Sequence, residues 1–354
     1  MAITQRTRWI PNPLIVSLIL FITLMSTGCE SIQPSIDVGI EKNSSETLVD
    51  HVINADEDEK VTSTITPSTK TTPTGALPLI TTQETQNIPD QPDENRFLYV
   101  PLLGFPLPED ASNQIETTYR FGSTMFGERI PHDGVEMVNP IGTPVIATED
   151  GIVVFSGNDQ TVKTGRFTNF YGNTIILKHN LTNYPDPIFT LFAHLSEILV
   201  VEGEEIKQGQ TIGFVGSSGA AFTNHLHFEV RVGDLVLSSA RNPELFLPLS
   251  PTEEQSSGGI LVGKLIDKNN HPIPGASIVI QSIIDGVIQS DSSLYLETYD
   301  QSISGVDKWN ENFVISNLPV GNYRVSTFAY GVFIEEFVTL RENELIFITL
   351  QPEE

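Results

Sequence analysis

This sequence of 354 residues holds a single cysteine, Cys29. A disulfide within the chain and a cysteine-built metal site both need at least two thiols, so neither exists here. Basic residues are scarce as well: 19 Lys plus Arg stand against 45 Asp plus Glu, a formal charge of −26. Such a surface repels phosphate backbones, which argues against nucleic acid as a partner. No helical apolar period is sustained between 97 and 250, and one long apolar run stands near the start, at 14–25. Arg6 and Arg8 precede that run and Ser26-Thr27-Gly28-Cys29 follows it, the layout of a secretory signal before a small-residue cleavage site. The run is short for a membrane-spanning helix. The expectation is a signal peptide at 1–28 and a mature chain outside the cytoplasm.

Composition divides the remainder. Residues 29–96 are rich in Ser, Thr, Pro, Gln and acids, as in ADEDEK and TSTITPSTKTTPTG. Burial there cannot offset the entropy of ordering, so a disordered acidic tether is expected, with His51 solvated on it. From Phe97 short β-type runs follow one another: PVIAT, IVVFSG, NTIILKH, IFTLFAHL, TIGFVG, HLHFEVRVG. Glu149-Asp150-Gly151 between the first two reads as a hairpin turn. An antiparallel sheet folded on itself is expected over 97–250. After a linker at 251–259, residues 260–354 give further short strands at sandwich spacing. The fold class is mainly β, with two β domains behind a tether. No oligomeric state is readable.

What the chain does have is His225-Leu226-His227 inside the run HLHFEV. Alternate side chains of a strand share a face, so both imidazoles point into one site while Leu226 and Phe228 enter a core. One imidazole can bind a metal and the other can handle protons beside it. His132 with Glu136, and His194 at the end of FTLFAHL, are candidates for the same site. On an extended segment residues four apart share a face, so His132 and Glu136 can converge, whereas Asp133 at an odd offset turns away. His179, ending NTIILKH, suits a supporting or structural part, and His271 before Pro272 suits a surface turn. GFVGSSG has no Lys-Ser/Thr pair after it and opens no helix, which excludes a phosphate loop.

H-D-G-V-E (132–136), F-A-H-L-S (192–196) and H-L-H-F-E-V-R (225–231), with NPIGTPVIATEDGIVVFSG, YGNTIILKH and VVEGEEIKQGQTIGFVGSSG around them, resemble the LytM/lysostaphin-type zinc metallopeptidases, over about 97–250. The resemblance implies an endopeptidase acting on the stem peptides or cross-bridges of peptidoglycan. It implies Zn2+ held by His132, Glu136 and His227, and catalytic imidazoles at His194 and His225, with their individual roles left open. The family's motif has Asp where this chain has Glu136, and the extra methylene displaces the carboxylate by about 1.5 Å. A catalytically impaired wall-binding or hydrolase-activating module is therefore the alternative. Gly28-Cys29 resembles a bacterial lipoprotein signal, which implies a lipidated Cys29 and a membrane anchor at the cell surface. Pro274-Gly275-Ala276-Ser277 and Asn317-Leu318-Pro319-Val320-Gly321-Asn322-Tyr323 resemble carboxypeptidase regulatory-like and Cna-B-type β-sandwich modules, implying a spacer or adhesion role for 260–354.

Overall fold

The computed structural model describes residues 93–250 and 258–352. The expected signal, Cys29, His51, most of the tether and most of the 251–259 linker lie outside the described residues. In chain order the strands are β1 (Arg96–Leu98), β2 (Val135–Val138), β3 (Pro144–Ile146), β4 (Gly151–Asn158), β5 (Asn173–His179), β6 (Ile188–Ala193), β7 (Glu197–Ile198), β8 (Glu205–Ile206), β9 (Thr211–Phe214) and β10 (His225–Val232). They continue as β11 (Ala240–Arg241), β12 (Gly259–Leu265), β13 (Ser277–Ile284), β14 (Val287–Ile288), β15 (Leu294–Glu297), β16 (Phe313–Leu318), β17 (Gly321–Ala329), β18 (Val332–Leu340) and β19 (Glu344–Leu350). Among the described residues the only helices are four 3-10 turns, in keeping with the missing helical period.

The first part of the chain is an antiparallel sheet in the order β11-β10-β6-β5-β4-β8, with β2 also pairing β10, and a small sheet β3-β9-β7. Val135, Met137, Phe192, Leu226, Phe228 and Val230 alternate out of these strands into one core. The hairpin expected at Glu149-Asp150-Gly151 does not form: β3 pairs β9, while β4 pairs β5 and β8. The turn instead bends the chain from one sheet to the other. Asp150 accepts from Gln208 N (2.9 Å) and Lys207 Nζ (2.7 Å), and its carbonyl accepts from His179 Nδ1 (2.9 Å). Those bonds tie it to neighbours in place of a hairpin partner.

The second part has two sheets, β1-β19-β12-β16 and β14-β13-β17-β18 with β15 on β13, whose facing side chains share a core. One strand of the first sheet, β1, comes from before the peptidase-like segment: Arg96 stands opposite Ile346 and Leu98 opposite Glu344. The expected boundary between tether and first domain at 96–97 therefore falls inside a strand of the C-terminal sheet. That sheet is buried on both faces. Leu261, Leu265, Ile346 and Ile348 point toward β13, β17 and β18, whereas Ile260, Val262, Val314 and Leu345 join Leu103, Phe121 and Phe246 in the core of the first part. Each such buried side chain is worth about 1.5–3 kcal/mol. The two β regions thus dock through core-like packing rather than standing apart on a linker.

Candidate metal centre

Strand β10 carries His225, His227, Glu229 and Arg231 on the face opposite Leu226, Phe228 and Val230, and every one of the four is buried. Its antiparallel partner β2 sets Glu136 directly across from His227 and Val138 across from His225. His132 lies in the irregular segment ahead of β2. Backbone bonds hold it there: its N–H donates to Ser123 O (3.0 Å) and its carbonyl accepts from Gly122 N (2.8 Å). Between His132 and β2, Gly134 lets the two strands close up. A Cβ there would stand 2.4 Å from Phe228 O and 2.9 Å from His227 Nε2.

Hydrogen bonds assign the tautomers. His132 Nδ1–H donates to Tyr119 O (2.7 Å), and the ring stacks on Tyr119 with centroids 4.2 Å apart. Its Nε2 is left as a lone pair. His227 Nε2–H donates to Glu229 Oε1 (3.1 Å), leaving Nδ1 as a lone pair. These two lone pairs face each other at 3.3 Å with no proton to share between them. Glu136 Oε1 lies 3.7 Å from His132 Nε2, and the donor atoms of His132, Glu136 and His227 all fall within 4.8 Å of one another. Ligands at zinc distances in a tetrahedral arrangement stand about 3.4 Å apart. The set fits one such ion, and it repels itself without a cation.

Glu229 supports this centre from below. It accepts from Tyr171 OH, from His227 and from Arg231 Nε (2.8 Å). Burial works against its ionisation, yet Arg231, His227 and Tyr171 together hold its carboxyl down to about 2. Arg231 also donates to Thr164 O (2.9 Å) and Leu235 O (2.5 Å), so each of the three guanidinium nitrogens has a partner. Asp133 stays out of the metal set and makes a two-pronged pair with Arg166 at 2.7 Å for each bond; like His132 it lies ahead of the strand, so strand alternation is not what places it. Burial and the Glu229 charge push its carboxyl up to about 6 against that pair.

His194 and His225 complete the cluster, with ring centroids 4.9 Å apart. Each donates Nδ1–H to a backbone carbonyl, His194 to Ser218 (2.8 Å) and His225 to Thr223 (2.9 Å). Both therefore present Nε2 as a proton acceptor. His225 Nε2 is buried, has no hydrogen-bond partner, and lies 3.6 Å from Glu136 Oε1. Burial, then the neighbouring imidazoles of His227 and His225, drop His194 to about 3; burial likewise lowers His225. His194 sits at φ 62°, a left-handed conformation that carries a cost for a residue with a Cβ. The cluster opens into a cleft of about 700 Å³ walled by Tyr119, Met125, Arg129, Phe170 and Phe222.

The structure thus gathers all five sequence candidates: His132, Glu136, His194, His225 and His227. The convergence of His132 with Glu136 has a different cause from the one expected. His132 is not on a strand, and its carbonyl and ring bonds aim it. His179 stays apart from the cleft, bonded to Thr190 Oγ1 (2.8 Å) and Asp150 O, which makes it structural. Sequence reasoning missed Glu229, Arg231 and Tyr171. The first two were signalled by the same alternation that exposes the histidines, since H-x-H-x-E-x-R keeps four polar residues on one strand face. Nothing local signalled Tyr171.

Residues 130–240 match the model of Peptidase family M23, and the chain carries a domain of that family. Among curated proteins it is similar to peptidoglycan DD-endopeptidase ShyA of Vibrio cholerae, 36% identical over 102 residues, 29% of this chain and 20% of that protein. It is 39% identical over 101 residues to DD-carboxypeptidase/endopeptidase Mpg of Neisseria meningitidis, 28% of this chain and 20% of that one. Murein hydrolase activator NlpD of Escherichia coli is 36% identical over 128 residues, 36% of this chain and 28% of that protein. The match spans about a fifth of the length of the first two relatives. Among solved structures, a zinc containing peptidase from Vibrio cholerae aligns at 31% identity over 36% of each chain, with a TM-score of 0.29.

Proposed function

We propose that this chain is a zinc-dependent endopeptidase that hydrolyses peptide bonds in peptidoglycan stem peptides or cross-bridges, anchored at the cell surface through a lipidated Cys29. The observation that carries the reading is the pair of imidazole lone pairs facing each other beside Glu136, with two further imidazoles offering Nε2 at the same cleft. His132, Glu136 and His227 would hold the ion. Zinc bound there supplies Lewis acidity, polarising a peptide carbonyl and making water more acidic.

The remaining chemistry belongs to the protein. His194 and His225 are held neutral by burial, so either Nε2 can take a proton from attacking water. The proton gained is then available to the leaving amine, and an imidazole that carries a proton on Nε2 as well as Nδ1 can donate to the carbonyl oxygen as it gains charge. Backbone acceptors on both Nδ1 atoms keep the rings from turning, which holds the proton-transfer geometry. Tyr119, Phe170 and Phe222 give the cleft apolar walls against which a peptide can lie.

The test uses the full-length chain: zinc content and release of soluble peptides from purified sacculi, with His227→Ala alongside. One zinc per chain with cleavage, both lost in the variant, is the expected result. Cleavage by zinc-free protein overturns the mechanism. The activator alternative is separated by Glu136→Asp. A native protein that holds zinc without cutting, and cuts once the shorter carboxylate is installed, is an impaired relative rather than an enzyme. Cys29→Ser should move the chain from the membrane fraction to the soluble one.

A further inference from the structure

The C-terminal region reaches the candidate metal centre through one side chain. Glu297 ends β15, is buried, and has no basic partner among the described residues. All its side-chain bonds go to a loop of the peptidase domain. Oε2 accepts from Ser123 Oγ (2.7 Å), Thr124 N (3.0 Å) and Phe126 N (3.1 Å), and Oε1 accepts from Thr124 Oγ1 (2.8 Å). That loop needs holding. Met125 and Phe126 are successive non-glycine residues in the left-handed region, at φ 52° and 58°. Such a turn is unfavourable unless its surroundings fix it. Just before it, Gly122 at φ 79° lies against Tyr299, where a Cβ would come within 2.4 Å of the ring, and Asp300 N donates to Gly122 O (2.8 Å). Gly122 and Ser123 are the two residues whose backbones hold His132. Loop residues 125 and 128–130 also wall the cleft, with Arg129 placed over the rings of Tyr119 and Phe222.

From this chain of contacts we infer that Glu297 is a positioning residue for His132, and that the C-terminal region completes the metal centre instead of serving only as a spacer. The inference rests on the reading of His132 as a metal ligand. Glu297 fixes the turn at 123–127, the turn fixes the backbone of Ser123, and Ser123 with Gly122 fixes His132. A group bonded directly to a ligating histidine typically changes metal affinity by about 10–100-fold, and Glu297 acts further out, through the turn and the Ser123 backbone, so its effect falls at the low end of that range.

The test compares full-length wild type with E297A, E297Q and S123A, following zinc loss to a chelator and amide hydrogen exchange at His132. E297A should release zinc faster, by up to about 10-fold. E297Q should remain within a few-fold of wild type, because one carbonyl oxygen at the Oε2 position keeps three of the four donors. S123A weakens the same link from the peptidase side, removing the Ser123 Oγ bond to Glu297 and the Met125 N bond to Ser123 Oγ, and serves if E297A does not fold. Faster zinc loss in E297A that E297Q restores, or faster zinc loss in S123A, supports the inference. A variant that is merely less stable, with unchanged zinc release and unchanged exchange at His132, overturns it. Wild type that takes up no zinc overturns the proposed function instead, and the exchange measurement on metal-free protein then decides the positioning role by itself: faster exchange at His132 in E297A supports it, and equal exchange overturns it.

Discussion

Replacing Glu229 with glutamine should damage the centre without touching a ligand. The carboxylate serves two groups of donors at once: Tyr171 and His227 on Oε1, Arg231 on Oε2. A glutamine has one acceptor oxygen to offer. If that oxygen faces Arg231, the amide N–H2 faces His227 Nε2, and His227 must shift its proton to Nδ1 to accept from it. The lone pair that faces His132 is then lost. If the oxygen faces His227, the amide hydrogens meet the guanidinium of a buried Arg231. Removing one partner of a buried charge pair costs about 3–5 kcal/mol, and the surviving acceptor puts this case near the lower figure. At about 2–4 °C per kcal/mol for a protein of this size, melting should fall by roughly 6–12 °C. Zinc affinity should fall about 10–100-fold, as for other outer partners of ligating imidazoles. Thermal unfolding by circular dichroism and zinc competition against a chromogenic chelator measure the two effects separately. A glutamine variant with native zinc affinity would show that the carboxylate does not set the His227 tautomer, and the account of the centre would fail.

Three further outcomes are expected. Gly134→Ala forces a methyl against Phe228 O and His227 Nε2, so β2 and β10 must separate; stability should drop by about 1–3 kcal/mol and zinc content should fall, and a fully loaded variant would contradict the close packing. His225→Ala should keep its zinc while kcat/KM on a soluble cross-bridge peptide falls about 10²–10⁴-fold, whereas loss of zinc would make His225 a ligand. Glu311, whose carboxyl burial raises to about 7, accepts from Val306 N through both oxygens. Its unfolded form releases a proton near the ordinary value of 4.5 while the folded form keeps it, so its stabilising contribution is full below about 4.5 and lost by about 7. Glu311→Gln should remove that slope and gain up to about 3 kcal/mol at pH 8, which denaturant titrations at pH 5 and pH 8 would detect or exclude.

Much of the centre was legible because β-strand geometry is periodic. Alternation placed His225 and His227 together and, carried further along the strand, would have revealed Glu229 and Arg231. Motif order brought in His132 and His194, whose local conformations no period predicts: one lies in an irregular segment and the other at a left-handed φ. The β class followed from short apolar runs without helical spacing. Partner choice between strands did not follow. PVIAT and IVVFSG flank a strong turn signal yet enter different sheets, since Asp150 bonds the 207–208 turn and β4 finds longer partners. The double burial of the C-terminal sheet was hidden for a related reason. Runs such as GILVGKL, with apolar residues on both sides, suit a sheet covered twice, but nothing in them says what the second cover is.

The pairing of β1 with β19 has an architectural consequence. Residue 96 lies beside residue 346, so the two ends of the described portion lie on neighbouring strands. A short glycine-serine bridge from 351 to 93 should therefore allow the polypeptide to be reopened at an exposed tip such as Tyr330-Gly331, giving a circular permutant. By the same logic the described portion can be inserted into a surface loop of another protein as a cassette, because its two junctions lie on neighbouring strands.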